Sequence, residues 1–206
     1  VEHQARYAYA VSKIQRAAII VDAASGSGWG TKYLAKNTQN ELVIGLDFDQ
    51  EAVCESKDSN SGPNICFQRA DLLNPKSLAG LPKANAIVSY ETMEHFPKNQ
   101  VGQYLNNLSA MMLDDGKLYI SSPNGPFFSH YQIHQGKPWY KFNHHEYTPE
   151  EMVEVLETNG WKVLELLGQR YVDPVKYFAL ARSLHPIRQV ALTKLSPDHR
   201  LARLPF

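Results

Sequence analysis

The residue types and spacings that could do chemistry fall into three groups. Four acids, Asp22, Asp47, Asp71 and Glu91, each close a short apolar run. A glycine-rich stretch, "DAASGSGWG" from 22 to 30, opens on the first of them. The third group is imidazole-based: His95 in "ETMEHF", and the adjacent His144 and His145 in "FNHHEYTPEE". An imidazole titrates near neutral pH, so any of the three suits taking a proton from an attacking hydroxyl. Glu91 and Glu94 lie three residues apart and share a face if Met93 to Phe96 begins a helical turn. With a histidine added, they form an oxygen-and-nitrogen donor set suited to Mg²⁺ or Mn²⁺. Two neighbouring histidines cannot share one face of a strand or helix. Ligand, proton carrier and polar lead-in to a helix therefore all stay open for His144 and His145.

These groups need elements to position them, and the apolar pattern supplies them. "AAIIVDAA", "LVIGLD", "NICFQRAD", "ANAIVSY" and "KLYISSP" read as short buried strands. "TKYLAKN" and "DQEAVCESK" read as intervening helices, as does "NQVGQYLNNLSAMMLDDG", closed by Gly116. "TPEEMVEVLETNG" is a further helix, with Thr148 as N-cap, Pro149 at its first position, Glu151 completing a capping box and Gly160 past its end. "WKVLELLGQ" is a sixth strand, and "KYFALARS" is either a seventh or a helix. Alternating strands and helices predict a doubly wound, mostly parallel α/β sheet with helices on both faces. Ligands of such sheets sit at the carboxyl ends of the strands, where all four acids fall.

Composition narrows the class. The 206 residues fit one domain, and 43% hydrophobic content is that of a globular protein. Lys+Arg 21 balances Asp+Glu 21, which disfavours a protein built on phosphate contacts and argues against a nucleic-acid partner. Two cysteines, Cys54 and Cys66, lack metal-ligand spacing and read as free buried thiols of a reducing, cytoplasmic setting. No apolar run reaches the length of a membrane span. The chain opens on Val rather than Met, which raises the expectation of one domain of a larger protein.

The glycine loop excludes two nucleotide readings. Gly26 and Gly28 could begin a G-x-G-x-x-G fingerprint, but Thr31 stands at the third position. No Gly-Lys pair precedes Ser or Thr, so a phosphate-cradling loop is absent as well. What remains opens with a carboxylate, which repels phosphate and suits an ammonium group.

In this form "IVDAASGSGWG" resembles the first motif of the class I S-adenosylmethionine-dependent methyltransferases, with Ser25 and Trp29 replacing the usual Cys and Tyr. "VIGLDFDQEAV", "CFQRADLLN" and "ANAIVSYETMEHF" resemble the next three motifs, in order. "HHEYTPEEMVEVLETNGWKV" resembles the helix–strand unit near the family's C-terminus, and "EHQARYAYA" resembles a lead-in found in bacterial-type members. The resemblance spans residues 2 to 168. It implies a Rossmann-like, seven-stranded domain over 1–183, an acceptor loop over 123–147 and a C-terminal tail over 184–206. It implies a cofactor site from Asp22, Ala24, Gly26, Gly28, Trp29, Asp47, Phe48, Asp71, Leu72, Ser89 and Tyr90, with Asp47 on the ribose hydroxyls and Asp71 near the adenine. Catalysis is expected from His95, His144, His145, Glu91 and Glu94. Small-RNA 3′-end 2′-O-methyltransferases carry a similar E-x-x-E-H, which suggests Glu91, Glu94, His95 and His145 as metal ligands. The chain also resembles small O-methyltransferases of polysaccharide assembly. That resemblance implies a sugar or glycan acceptor and a fused or associated glycosyltransferase. A quinone-type phenol, an RNA 3′ end and a non-catalytic scaffold are the alternatives.

Overall fold

Consecutive residues of the central strands are buried on opposite faces. Ile20, Val43, Ala86 and Val88 belong to one apolar cluster, and Val21, Ile44 and Ile87 to another. Only a sheet covered on both sides gives that pattern. A computed structural model describes residues 2–124, 141–168 and 188–194. In chain order it contains α1 (Glu2–Ile14), β1 (Ile19–Ala23), α2 (Trp29–Asn37), β2 (Leu42–Asp47), α3 (Gln50–Asn60), β3 (Ile65–Arg69) and α4 (Pro75–Leu78). Then follow β4 (Ala84–Tyr90), a 3₁₀ turn (Met93–His95), α5 (Lys98–Ala110), β5 (Met112–Ser121), α6 (Pro149–Thr158), β6 (Trp161–Gly168) and β7 (Arg188–Lys194).

The strand order is β3-β2-β1-β4-β5-β7-β6. β3, β2, β1, β4 and β5 are parallel neighbours, while β7 runs antiparallel to both β5 and β6. The doubly wound, mostly parallel α/β architecture is therefore present. α1 and α2 cover one face through Tyr7, Ala10, Ile14, Leu34 and Ala35. α5 and α6 cover the other through Val101, Tyr104, Leu105, Leu108, Met152 and Leu156. The order reverses between β1 and β4, which opens a crevice at their carboxyl ends.

Three local expectations are corrected. The helix expected to run to Gly116 ends at Ala110, and Met112 already pairs with Ala84 in the sheet. Burial of Met112 in the core outweighs the helix-forming character of the segment. Cys54 and Cys66 are free but exposed, on α3 and on edge strand β3. The tail expected from 184 contains β7, whose V-x-L alternation is hidden among prolines and basic residues. "KYFALARS" and residues 125–140 of the acceptor loop, with Phe127, Phe128, Tyr131, Trp139 and Tyr140, lie outside the described residues. The capping box of α6 forms as expected: Thr148 Oγ1 accepts from Glu151 N at 3.1 Å, and Glu151 Oε2 accepts from Thr148 N at 2.9 Å.

Candidate active site

β1 leads directly into the glycine loop, and the loop turns by adopting left-handed backbone. Ala24, Gly26 and Gly28 have φ of 63°, 53° and 74°. Gly28 must be glycine twice over, because a Cβ there would stand 2.7 Å from the Phe67 ring and 2.8 Å from Ser56 Cβ. Gly26 is the opposite case: a Cβ would meet nothing within 4 Å, so its main chain faces open space. Its N–H donates to Asp47 Oδ2 at 2.7 Å, tying the loop to the end of β2. Asp47 Oδ1 accepts from Asp49 N at 2.9 Å. The next residue, Phe48, leaves its ring 64% exposed, a large apolar surface that solvent alone does not favour. The Arg69 guanidinium lies 5.6 Å over that ring and donates to Phe48 O at 3.0 Å. Asp71 Oδ1 accepts from Leu73 N at 2.9 Å, and Leu72 is buried in the core.

The acid at the start of the loop does not face the crevice. Asp22 is fully buried; Oδ1 accepts from Tyr7 OH at 2.9 Å and Oδ2 from Thr31 Oγ1 at 2.7 Å. Burial pushes its carboxyl up to about 6, against those two hydrogen bonds. Asp22 therefore fastens α1 and α2 beneath the loop. Thr31, which breaks the dinucleotide fingerprint, is one of its two clasps. Trp29 stacks on Tyr33 at 5.3 Å and meets Tyr7 edge-on at 5.5 Å, so it joins α1 to α2.

At the end of β4, Ser89 and Tyr90 also point into the scaffold. Ser89 Oγ lies 2.7 Å from Tyr104 OH and donates to Ala23 O at 3.2 Å. Tyr90 OH donates to Arg6 O at 3.0 Å. Glu91 leaves the strand with φ of 54°, in the left-handed region. Ser121 holds it there: Ser121 Oγ donates to Glu91 Oε1 at 2.7 Å, and Glu91 N donates to Ser121 O at 3.0 Å. Arg6 Nη2 stands 3.5 Å from Glu91 Oε1. Glu94, in the following 3₁₀ turn, is 1% exposed and its Oε2 has no hydrogen-bond partner. Burial first, and the charge of Glu91 second, raise its carboxyl to about 8, so Glu94 is protonated at neutral pH.

Glu94 also holds the main chain of the paired histidines. Its carbonyl oxygen accepts from His144 N at 2.7 Å and from His145 N at 3.3 Å. Their main chain is thereby pinned at the β4 end, while the rings diverge. His145 Nε2 lies 3.2 Å from Glu151 Oε2, the capping-box carboxylate, and its ring lines a cleft of about 360 Å³ between α5 and α6. His144 is exposed, as is His95, whose Nδ1 lies 3.4 Å from Phe142 O. Among the described residues no three His, Cys, Asp or Glu side chains come close enough to hold a metal ion. The expected set of Glu91, Glu94, His95 and His145 is not brought together among these residues: Ser121 and Arg6 meet Glu91, and His145 meets Glu151.

Glu94 Oε2, Ser122 Oγ, Asn124 Oδ1, Asn143 Oδ1, Glu146 Oε2 and Tyr147 OH are buried without a hydrogen-bond partner. Sequence reasoning missed Ser122, Asn124, Asn143, Glu146 and Tyr147, and also Arg6 and Tyr7, although "EHQARYAYA" carried the last two.

A family model described as a methyltransferase domain matches residues 20–116, from β1 into β5. A probable S-adenosylmethionine-dependent methyltransferase of Mycolicibacterium smegmatis is 27% identical over 153 residues, 72% of this chain. The chain spans about half of that relative's length, 54%. Magnesium protoporphyrin IX methyltransferase from Synechocystis PCC 6803, solved with bound SAH, shares the fold with a TM-score of 0.69 at 15% identity, over 94% of this chain and 84% of that one. The small RNA methyltransferase HEN1 shares it with a TM-score of 0.71 at 18% identity, over 96% of this chain and 26% of that one. These findings show that residues 20–116 are similar to a methyltransferase domain and that the chain shares its fold with these methyltransferases. Among the described residues no helix is long and apolar enough to cross a membrane.

Proposed function

We propose that the protein is an O-methyltransferase that moves the methyl group of S-adenosylmethionine to a hydroxyl of a sugar or glycan. The observation that carries the reading is the set of six buried, unpartnered polar atoms between Glu94 and Tyr147. Four of its six atoms are carboxyl or amide oxygens and two are hydroxyls. Each buried polar atom without a partner costs about 1–3 kcal/mol. A polyhydroxyl acceptor supplies the donors that such a set lacks, whereas a flat phenol supplies one.

The crevice fits the cofactor. The bare main chain at Gly26 lets an adenosyl group approach, Asp47 suits the two ribose hydroxyls, and Phe48 with Leu72 and Asp71 brackets the adenine. The cofactor supplies an electrophilic methyl on a sulfonium. The protein must align the acceptor oxygen with it, exclude water and accept the hydroxyl proton as the new O–C bond forms. His95 and His144 present exposed imidazoles for that proton at the mouth, and His145 is held in the cap. No step is assigned to a metal. A fused or associated glycosyltransferase is the partner that a glycan acceptor implies.

The test is radiolabelled methyl transfer to polysaccharide fragments and sugar nucleotides, beside quinone-type phenols and RNA 3′ ends. Label in the carbohydrates alone is expected. Label confined to phenol or RNA rejects the glycan acceptor. Failure to bind S-adenosylhomocysteine at all favours a scaffold.

A further inference from the structure

A cofactor with an amino-acid end presents one ammonium and one carboxylate, and the crevice needs a partner for each. Asp22, the acid expected for the ammonium, is fully buried with both oxygens engaged by Tyr7 and Thr31. Arg69 lies over Phe48, at the adenosyl end. α1 brings a different pair to the gap between β1 and β4. Tyr7 is fastened to Asp22 of β1, and the carbonyl of Arg6 accepts from Tyr90 of β4. Arg6 is thus fixed across the point where the strand order reverses.

The Arg6 side chain is 6% exposed and that of Glu91 is 21% exposed. Their contact is a single one at 3.5 Å, and Arg6 Nη1 meets His3 Nδ1 at 3.4 Å. An arginine–carboxylate pair closed on itself is bidentate at about 2.7–2.9 Å, and a guanidinium has five N–H donors. Two long contacts leave most of that capacity unspent. Glu91 is held in left-handed backbone by Ser121, a strain of about 1–3 kcal/mol that commonly marks a site where geometry serves a ligand. Glu94 is neutral, so Glu91 is the carboxylate opposite Arg6.

Resting on the cofactor reading above, we propose that Arg6 and Glu91 recognise the amino-acid end of the cofactor, Arg6 taking its carboxylate and Glu91 its ammonium group. The pair opens to insert a zwitterion of matching polarity, and each protein charge exchanges a long contact for a direct one.

Calorimetric titration with three probes tests it: S-adenosylhomocysteine, its decarboxylated analogue, and 5′-methylthioadenosine, which lacks the amino-acid end. The unaltered chain should bind S-adenosylhomocysteine at least about tenfold more tightly than either truncated probe, the range expected for charge-assisted contacts. Arg6→Ala should lose about 10–100-fold for S-adenosylhomocysteine, change little for 5′-methylthioadenosine, and no longer distinguish the decarboxylated analogue. Glu91→Gln should lose about tenfold for S-adenosylhomocysteine only. Equal affinity of the unaltered chain for all three probes overturns the proposal while leaving the cofactor reading intact. Binding of none overturns both. If Arg6→Ala does not fold, Arg6→Lys carries the same comparison, and an unchanged preference for the full ligand refutes the role of Arg6.

Discussion

Replacing Glu94 with Gln should make the protein more stable in alkaline buffer and leave it unchanged in acid. Glu94 is 1% exposed, one oxygen has no partner, and its carboxyl is raised to about 8 from an ordinary value of 4.5. The folded protein therefore binds a proton that the unfolded chain releases between those two values. Stability falls as pH rises wherever the native state holds more protons, so the window of loss runs from about pH 4.5 to pH 8. One pKa unit is worth about 1.4 kcal/mol, so the loss at pH 7.5 is about 3–4 kcal/mol. Glutamine matches the shape of the protonated acid and cannot ionise. Urea unfolding of both proteins from pH 5 to pH 8.5 should give coincident midpoints at pH 5 and a gap of about 1–2 M at pH 7.5, given typical urea slopes. Asp22, raised to about 6, adds a loss of the same sign between about pH 4 and 6, but it does so in both proteins and cancels in the difference. Parallel curves at all pH values would show that Glu94 ionises normally, and the account of the mouth as a closed, low-dielectric pocket would be wrong.

Asp47→Ala should weaken S-adenosylhomocysteine binding about tenfold or more by calorimetry, with the fold retained by circular dichroism; unchanged affinity refutes the ribose role. Gly28→Ala combines a left-handed φ with a clash against Phe67 and Ser56, and should cost about 2–4 kcal/mol in denaturant unfolding. His145→Ala should cost about 0.5–1 kcal/mol of stability through the α6 cap and little turnover. His95→Ala and His144→Ala should instead lower turnover more than cofactor affinity, and full activity in both would remove the imidazoles from the chemistry.

The parts of the fold that were legible are those written locally. Buried parallel strands carry continuous apolar runs, and the α6 cap is complete within Thr148 to Glu151, so both could be read without tertiary information. The elements that failed are decided at a distance. Nothing local tells Met112 to leave a helix, because its reason is Ala84 on the neighbouring strand. The V-x-L pattern of β7 is too short to outweigh its surroundings until β5 and β6 flank it.

The site divides the same way, and the division explains why the first acid of the loop misled. An acid, small residues and glycines in a row specify a strand–turn–helix, and they place a carboxylate at a strand end; they do not say which way it faces. Orientation is set by Tyr7, fifteen residues upstream, and by Thr31, in the first turn of α2, which together consume both oxygens of Asp22. Once that carboxylate is spent on the scaffold, a cationic group in the crevice must be met from another strand. The strand that supplies an acid is β4, and the backbone strain at Glu91, invisible in sequence, is what turns it toward Arg6. Glu94, three residues on, is removed from the same role by burial. Two carboxylates that look equivalent in "ETMEHF" are thus made unlike by environment alone, one charged beside an arginine and one neutral in the core of the mouth.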